Sequence, residues 1–369
     1  MYNDDFLEKK ILQRVSENAL RTLAPEKPGV DFFSNDYLGI ATQKLLQIPA
    51  SEYGSGGSRL LAGNRARTQA VEADIATFHA AEAGLLFNSG YDANIGLLSC
   101  VPQRGDVVFY DALCHASIRD GLRLSFAQCI SFEHNNCEHL ETLLQTETTQ
   151  KAATIFIVTE AVFSMDGDTA PLEKIVAIGQ QFGAHILVDE AHSIGVIGQA
   201  GEGLCQHLRV QNQIFARIYT YGKALGCHGA AVLGSERLIR YLVNFARSFI
   251  YTTALPLHAV EVIAAAYQLL PSLTKERRQL AGSIQLFQDG LGQYAALAKS
   301  TTAIQAVFFE AEKLNSAAET LQAQGFLVKP IRYPTVPRNT ERIRIILHSF
   351  NTDTEVKALV DALLPLMKP

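Results

Sequence analysis

Two apolar runs separated by a helical pattern constrain the fold of this chain most strongly. Residues 154–159 and 186–188 form near-continuous apolar runs, and between them residues 172–182 carry apolar side chains at helical spacing. Such runs are typical of strands buried on both faces of a parallel sheet, and the crossover between two of them is nearly always right-handed. We therefore predict an α/β fold in which helices cover both faces of an open, mainly parallel sheet.

Reactive side chains follow the ends of two predicted strands. The strand-like run at residues 185–192 has Asp189 and His192 in its last four positions, and Lys223 lies in a later run, residues 218–226. In an open α/β sheet, ligands bind beyond the carboxyl ends of the strands. A lysine amine can hold the aldehyde of pyridoxal 5′-phosphate (PLP) as a Schiff base, and an aspartate facing the pyridine nitrogen keeps that nitrogen protonated. The pair therefore predicts a PLP site.

A strand-to-helix turn supplies a candidate phosphate site. Ser89, Gly90 and Tyr91 stand between an apolar run and a predicted helix at residues 92–100. A helix N-terminus offers unpaired N–H groups and the positive end of the helix dipole, and glycine permits close approach of the backbone. Turns of this composition also serve packing alone. The assignment therefore depends on the lysine and the aspartate.

Three further segments admit a functional and a structural interpretation. His115 can stack on a flat cofactor ring and exchange protons, or it can be an ordinary core histidine. Residues 134–139 resemble a metal-ligand cluster, but their Asn-rich composition favours a solvated loop, and we predict no metal site. Arg342 and Arg344 share one face of a predicted strand. Arg344, flanked more deeply by apolar residues, is the candidate for binding a substrate carboxylate.

Two nucleotide-binding interpretations conflict with the sequence. Residues 189–192 read DEAH, which can hold magnesium in a nucleotide hydrolase, but such an enzyme also needs the phosphate loop GxxxxGK[ST]. Here Ala224 follows Lys223, and Arg217 stands where the first glycine is required. Residues 54–59 likewise lack the last glycine of GxGxxG. ATP hydrolysis and dinucleotide binding are therefore disfavoured.

Composition bounds the domain organisation and the partners. The 369 residues are 48% hydrophobic and 19% charged, enough for two or three domains. We predict an N-terminal helix and extended segment at 1–45, a large α/β domain at 46–275 and a smaller α+β domain at 276–369. The net charge of −5 gives no electrostatic reason to expect nucleic acid or a membrane as partner. The six cysteines lack secreted-type spacing and the N-terminus is too acidic for a secretory signal, so we expect a cytoplasmic protein.

The order and spacing of eight segments carry more information than any single motif. The segments are SNDYLG (34–39), GSGGSR (54–59), NSGYDAN (88–94), HASIRDG (115–121), TEAVFSMDGD (159–168), VDEAHSIGVIG (188–198), TYGKALG (220–226) and YTTALP (251–256). Together they resemble the α-oxoamine synthase family over nearly the full chain. The resemblance implies a PLP-dependent transferase of fold type I, aspartate-aminotransferase-like, with a mainly parallel seven-stranded sheet. It also implies a homodimer whose two active sites lie at the subunit interface.

The resemblance implies roles for individual cofactor-site residues. Lys223 would carry the cofactor, Asp189 would pair with the pyridine nitrogen, and His115 would stack on the ring. Thr253 would reach the phosphate of the neighbouring subunit. The remaining contacts, to the phenolic oxygen and its surroundings and to the phosphate, would come from Ser164, His192, Ser89, Gly90, Tyr91 and Thr220.

The resemblance also implies substrate contacts. Asn35 and Arg344 correspond to residues that meet the amino-acid substrate, and Arg21 corresponds to an N-terminal arginine that meets the distal carboxylate of the acyl chain. Thr68 stands where the family usually has histidine. The segment before Phe32 is shorter than usual and lacks an N-terminal β-hairpin, which bears on the entrance for the acyl chain.

The activity implied by the resemblance is an acyl transfer. Residues 334–337 ahead of the two strand arginines favour the biotin-pathway condensation of L-alanine with a pimeloyl thioester, supplied as pimeloyl-CoA or as pimeloyl-acyl carrier protein. An alternative within the family is the transfer of acetyl from acetyl-CoA to glycine, which makes 2-amino-3-ketobutyrate. A noncatalytic subunit that keeps the fold is disfavoured by the presence of Lys223 and Asp189.

Overall fold

The computed structural model describes residues 3–17, 19–23, 25, 27–48, 51–292, 297 and 299–367. Numbered in chain order, its strands are β1 (Val30–Asp31), β2 (Ala83–Phe87), β3 (Val107–Asp111), β4 (Gln128–Phe132), β5 (Ile155–Glu160), β6 (His185–Asp189), β7 (Ala216–Thr220), β8 (Ala230–Gly234), β9 (Ile304–Phe308), β10 (Phe326–Leu327), β11 (Lys329–Ile331) and β12 (Arg342–Ile346). Its α-helices are α1 (Glu8–Ser16), α2 (Ala66–Phe78), α3 (Gly90–Cys100), α4 (Ala116–Leu124), α5 (Cys137–Leu144), α6 (Glu147–Gln150), α7 (Leu172–Phe182), α8 (Leu204–His207), α9 (Glu236–Phe245), α10 (Arg247–Ile250), α11 (Leu257–Leu269), α12 (Thr274–Leu291), α13 (Ala311–Ala323) and α14 (Asp353–Leu363).

A seven-stranded sheet organises the centre of the molecule. Its strand order is β2-β8-β7-β6-β5-β3-β4. The strands from β7 to β4 pair in parallel, and β8 runs antiparallel to both β7 and β2. Helix α7 crosses from β5 to β6, as the spacing of its apolar residues predicts. The mainly parallel seven-stranded sheet is thereby confirmed.

Both faces of the central strands are buried. On β5, Phe156 and Val158 belong to one apolar cluster, while Ile157 belongs to the cluster on the opposite face. On β6, Leu187 and Val188 divide between the same two clusters. Removing each such aliphatic side chain from water contributes about 1.5–3 kcal/mol. Double-sided burial is the reason why these strands have continuous apolar sequences instead of alternating ones.

The C-terminal part contains a separate three-stranded antiparallel sheet in the order β11-β12-β9. The sequence favours one strand over residues 326–330, but the structure has two, with different partners. Strand β10 pairs in parallel with β1, and β11 pairs antiparallel with β12. The chain changes sheets at Val328, so a single continuous strand cannot serve both pairings. The predicted domain limits at 45 and 275 stay a prediction.

The apolar spacing of residues 5–22 predicts one N-terminal helix, but the observed helix is shorter. A 3₁₀ turn at Asp5–Leu7 leads into α1, which ends at Ser16. Its apolar side chains are exposed, for example Phe6 at 77% and Leu12 at 56%. Because short helices gain most of their stability from tertiary packing, the apolar spacing alone does not extend this one. Within the described part of residues 3–48, β1 is the one strand.

No helix in the described ranges is long and apolar enough to cross a membrane. Among the same residues, no cluster of three or more His, Cys, Asp or Glu side chains has the arrangement of a metal site.

Candidate active site

A polar pocket of about 330 Å³ lies at the carboxyl ends of the parallel strands. Strand ends and helix starts supply its walls, which is where an open α/β sheet places ligand sites. The structure brings together eleven of the residues singled out in the sequence: Asn35, Ser89, Gly90, Tyr91, His115, Ser164, Asp189, His192, Thr220, Lys223 and Arg344. Arg21 and Thr253 are not among its lining residues.

Lys223 lies in the loop between β7 and β8. Its Nζ donates a hydrogen bond to Thr220 Oγ1 at 3.1 Å. Burial lowers the pKa of Lys223, and the negative charge of Asp189 opposes that shift without cancelling it. A lowered pKa increases the fraction of neutral amine, which is the nucleophilic form.

Asp189 ends β6 and is buried, with 5% of its surface exposed. Its Oδ2 accepts a hydrogen bond from Asn94 Nδ2 at 2.8 Å, and its Oδ1 accepts one from the backbone N–H of Ala191 at 2.9 Å. These two donors fix the orientation of the carboxylate. Asn94 also donates to Ser117 Oγ at 3.0 Å, while its own Oδ1 is buried without a partner in the described part of the chain.

The turn before α3 has the form of an anion site. Ser89 caps the helix, since its Oγ accepts from the backbone N–H of Asp92 at 3.1 Å. A Cβ on Gly90 would overlap the Cγ2 of Thr220, so only glycine lets this turn approach β7 so closely. The Tyr91 hydroxyl donates to Asp120 Oδ2 at 2.9 Å. The backbone N–H groups of the first turn of α3 and the hydroxyls of Ser89 and Tyr91 therefore border the polar pocket.

His115 caps α4 at the rim of the pocket. Its Nδ1 and the Ser117 hydroxyl lie 2.8 Å apart, and its backbone N–H donates to Glu160 Oε1 at 2.5 Å. Burial lowers the pKa of His115 despite the nearby charge of Asp189. Burial also raises the pKa of Glu160 well above its usual range, and repulsion from Asp189 adds to the shift. The environment therefore favours a neutral imidazole beside a protonated acid.

A second polar group joins the N-terminal segment to β12. The Tyr37 hydroxyl lies 2.6 Å from His192 Nδ1 and donates to Asn35 Oδ1 at 3.2 Å. Arg344 Nη2 donates to the same Asn35 oxygen at 3.0 Å. Burial, followed by the charge of Lys223, lowers the pKa of His192 well below its usual range, so its ring is neutral.

The Arg344 guanidinium is incompletely satisfied. Its Nε is buried and has no hydrogen-bond partner among the described residues. Burial lowers the pKa of Arg344, which registers the cost of keeping the cation away from water. A carboxylate in the pocket would supply both the charge and the missing acceptor, because guanidinium and carboxylate match as a two-donor fork.

Two predicted site residues lie elsewhere. Thr253 is exposed, and its backbone carbonyl accepts from Asn88 Nδ2 at 2.9 Å. Arg21 is exposed as well, and its Nη2 donates to Thr335 Oγ1 at 3.3 Å. Their roles stay predictions. Thr68 is buried on α2 and does not line the polar pocket.

The segment at residues 134–139 is not a simple solvated loop, and that expectation is wrong for His134. Its Nδ1 lies 2.9 Å from Asp111 Oδ1, and its Nε2 lies 2.7 Å from Asp168 Oδ2. Burial opposes protonation, but hydrogen bonds to the two aspartates and their charges outweigh it and raise the pKa of His134 to about 10. The buried Asp111 requires donors, and the loop supplies them.

Sequence reasoning missed several pocket residues. Asn94, Glu160 and Tyr37 lie within the segments 88–94, 159–168 and 34–39, but the sequence assigns them no role there, and each is brought to the site by contacts that are distant along the chain. One signal was available for Asn94, which lies one turn into the helix that follows the Ser89–Gly90 turn.

The chain belongs to the aminotransferase class I and II family, whose description matches residues 27–363. Its curated relatives include an 8-amino-7-oxononanoate synthase from Emericella nidulans, 41% identical over 93% of this chain and 90% of that protein. These matches confirm the family resemblance and the fold type predicted from the sequence.

Two solved structures are similar in fold and sequence. A serine palmitoyltransferase from S. paucimobilis with a bound PLP–myriocin aldimine superposes with a TM-score of 0.87 and 26% identity, covering 98% of this chain and 96% of that one. The 8-amino-7-oxononanoate synthase from Francisella tularensis superposes with a TM-score of 0.78 and 27% identity, covering 92% of this chain and 97% of that one.

Proposed function

We propose that this protein is a PLP-dependent acyltransferase of biotin biosynthesis that condenses L-alanine with a pimeloyl thioester to give 8-amino-7-oxononanoate. The names of the relatives support this reaction. The observation that carries it is the incompletely paired Arg344 guanidinium in the same pocket as Lys223 and Asp189. An α-amino acid needs one group for its carboxylate and a second for its amine chemistry, and this pocket has both.

The residues of the pocket fit PLP. Asp189 offers a buried, oriented carboxylate for the pyridine nitrogen, and the turn at Ser89 and Gly90 offers N–H groups for the phosphate. Lys223 offers an amine of lowered pKa for the aldehyde. When bound, this cofactor withdraws electrons from the carbon that bears the substrate amine. His115 and Thr220 border the same space and complete the proposed cofactor contacts, together with Tyr91, Ser164 and His192.

Lys223 serves twice in this proposal. Its neutral amine would hold the aldehyde of PLP, and the same Nζ, when free, would accept the proton from the alanine Cα. Arg344 and Asn35 hold the alanine carboxylate and thereby orient the Cα–H bond toward the lysine. Tyr37 fixes the ring of His192 beside them through the 2.6 Å contact.

The bonds balance for a decarboxylative condensation. A carbon–carbon bond forms between the alanine Cα and the thioester carbonyl carbon, and the carbon–sulfur bond breaks to release the thiol of the carrier. The alanine carboxylate then leaves as CO₂, and a proton takes its place at Cα. Coenzyme A and acyl carrier protein are both suitable thiol carriers for this chemistry.

We also propose a cytoplasmic homodimer. Thr253 is exposed and outside the pocket of its own chain, as a residue that serves a neighbouring subunit would be. Light scattering of the purified protein measures the assembly, and a monomer at working concentration would count against the proposal.

One assay tests the function. Purified, PLP-loaded protein is incubated with L-alanine or glycine against pimeloyl-CoA, pimeloyl-acyl carrier protein and acetyl-CoA, and products are identified by mass. The proposal expects 8-amino-7-oxononanoate, formed from alanine and at least one pimeloyl thioester. Product from glycine and acetyl-CoA alone would replace it with the 2-amino-3-ketobutyrate reaction.

A further inference from the structure

A second, larger cavity of about 540 Å³ opens beside the polar pocket, and Met165 lines both. Apolar side chains form much of its wall, including Phe163, Phe308, Tyr333 and Val336. Its volume falls within the range of about 300–1,000 Å³ that is common for small-molecule sites. Because Met165 lines both spaces, this cavity is a natural place for the methylene chain of an acyl donor.

Two of the cations along this cavity are already paired. His134 lies between Asp111 and Asp168, at 2.9 and 2.7 Å. Arg342 forms an ion pair with Asp166 and stacks over the Phe308 ring. Neither has a charge to spare for a bound anion.

Arg119 is the remaining cation of the cavity wall and differs from both. It lies on α4, one turn beyond His115, and its guanidinium has no hydrogen bond or ion pair with any of the residues that the structure describes. The adjacent acid, Asp120, is instead engaged by the Tyr91 hydroxyl at 2.9 Å and by Arg123 at 2.7 Å. The charge of Arg119 also acts on the polar pocket. The pKa of His115 is lowered first by burial, then by the charge of Lys223, and then by the charge of Arg119. Arg119 is exposed, and its guanidinium, unpaired within the described part of the chain, lies on the wall of a largely apolar cavity and is complementary to an acyl chain that ends in an anion.

We propose that Arg119 is a specificity-determining residue that binds the distal carboxylate of the pimeloyl chain and so selects a dicarboxylic acyl donor over a monocarboxylic one. The inference rests on the proposed function. It assigns this role to Arg119 instead of Arg21, because Arg119 lines the cavity directly, whereas Arg21 reaches the cavity wall only through its hydrogen bond to Thr335. The guanidinium fork suits a carboxylate in two-donor geometry.

The test compares two thioesters on the same carrier, pimeloyl and heptanoyl, which have the same number of carbons and differ in the terminal carboxylate. Loss of a charge-assisted hydrogen bond corresponds to about 10- to 100-fold in affinity. Arg119→Gln should therefore lower kcat/KM for the pimeloyl thioester by about that factor, through KM, and leave the heptanoyl value within about two-fold. Arg119→Lys, which keeps the charge, should recover part of the loss. Arg123→Gln, on the same helix and 76% exposed at its side chain, is the matched control and should change neither value.

Each other outcome overturns the inference. An equal loss for both thioesters would make Arg119 a contact to the carrier. A selective loss in Arg21→Gln, with none in Arg119→Gln, would return the role to Arg21. The two proposals fail separately: if the unmodified protein makes no product from alanine and either pimeloyl thioester, the proposed function is wrong. If product forms but the pimeloyl-to-heptanoyl ratio is unchanged in Arg119→Gln, only the role of Arg119 is wrong.

Discussion

Replacement of Arg344 tests the amino-acid carboxylate site. The buried Nε lacks a partner in the described residues, and Nη2 is the donor to Asn35. A substrate carboxylate would therefore gain at least one charge-assisted hydrogen bond and a direct ion pair. Such bonds contribute about 1.5–3 kcal/mol each, and about 1.4 kcal/mol is a factor of ten. Arg344→Gln removes the positive charge and one of the N–H donors that would meet the carboxylate. The KM for alanine should therefore rise by on the order of 100-fold.

Two further variants separate charge from geometry. Arg344→Lys keeps the cation but loses the fork, so its KM for alanine should rise by about 10-fold, less than in the glutamine variant. Arg342→Gln is the matched control on the same strand, because it breaks the ion pair with Asp166 without touching the polar pocket. It should lower the melting temperature and leave the KM for alanine unchanged.

The assay is steady-state kinetics with alanine varied at saturating thioester, together with a thermal melt of each variant. Because the Arg344 guanidinium is incompletely paired and its Nε is buried, its replacement should not lower the melting temperature. An unchanged KM for alanine in Arg344→Gln, or a loss of activity explained by unfolding, would refute the assignment.

Two other predictions concern the cofactor turn and the histidine network. Gly90→Ala places a methyl group against Thr220, so the turn must shift and the Kd for PLP should rise by at least ten-fold; unchanged cofactor affinity by fluorescence titration would contradict this. His134, paired with Asp111 and Asp168, has a folded-state pKa of about 10, above the unfolded value of about 6.5, so its stabilisation is complete below pH ~6.5 and disappears as the pH rises through ~10. Denaturant titrations should show that His134→Gln destabilises the protein at pH 6 more than at pH 10, and an equal loss at both would contradict the network.

The sequence predicts the central fold because strands that are buried on both faces have continuous apolar sequences. Strands β5 and β6 read as unbroken apolar runs, and α7 repeats its apolar residues at helical spacing. The side chains at the ends of such strands must share one edge of the sheet. For that reason the sequence alone predicts that Asp189 and Lys223 share one pocket.

Other parts of the site depend on contacts that leave no local pattern. Asn94 reaches Asp189 from 95 positions away, and Tyr37 reaches His192 from 155 positions away. The loop at His134 has the polar composition of a solvated loop, yet His134 pairs with the buried Asp111. Polar pairs of this kind have no periodicity to read, so tertiary structure is required to find them.

The attachment point of the cofactor tests the account most directly. PLP-loaded protein is reduced with borohydride, digested and mapped by mass spectrometry, with Lys223→Ala as the control. The account predicts a pyridoxyl adduct on the peptide that contains Lys223 and loss of both the adduct and turnover in the variant. An adduct on another lysine, or full turnover in Lys223→Ala, would contradict it.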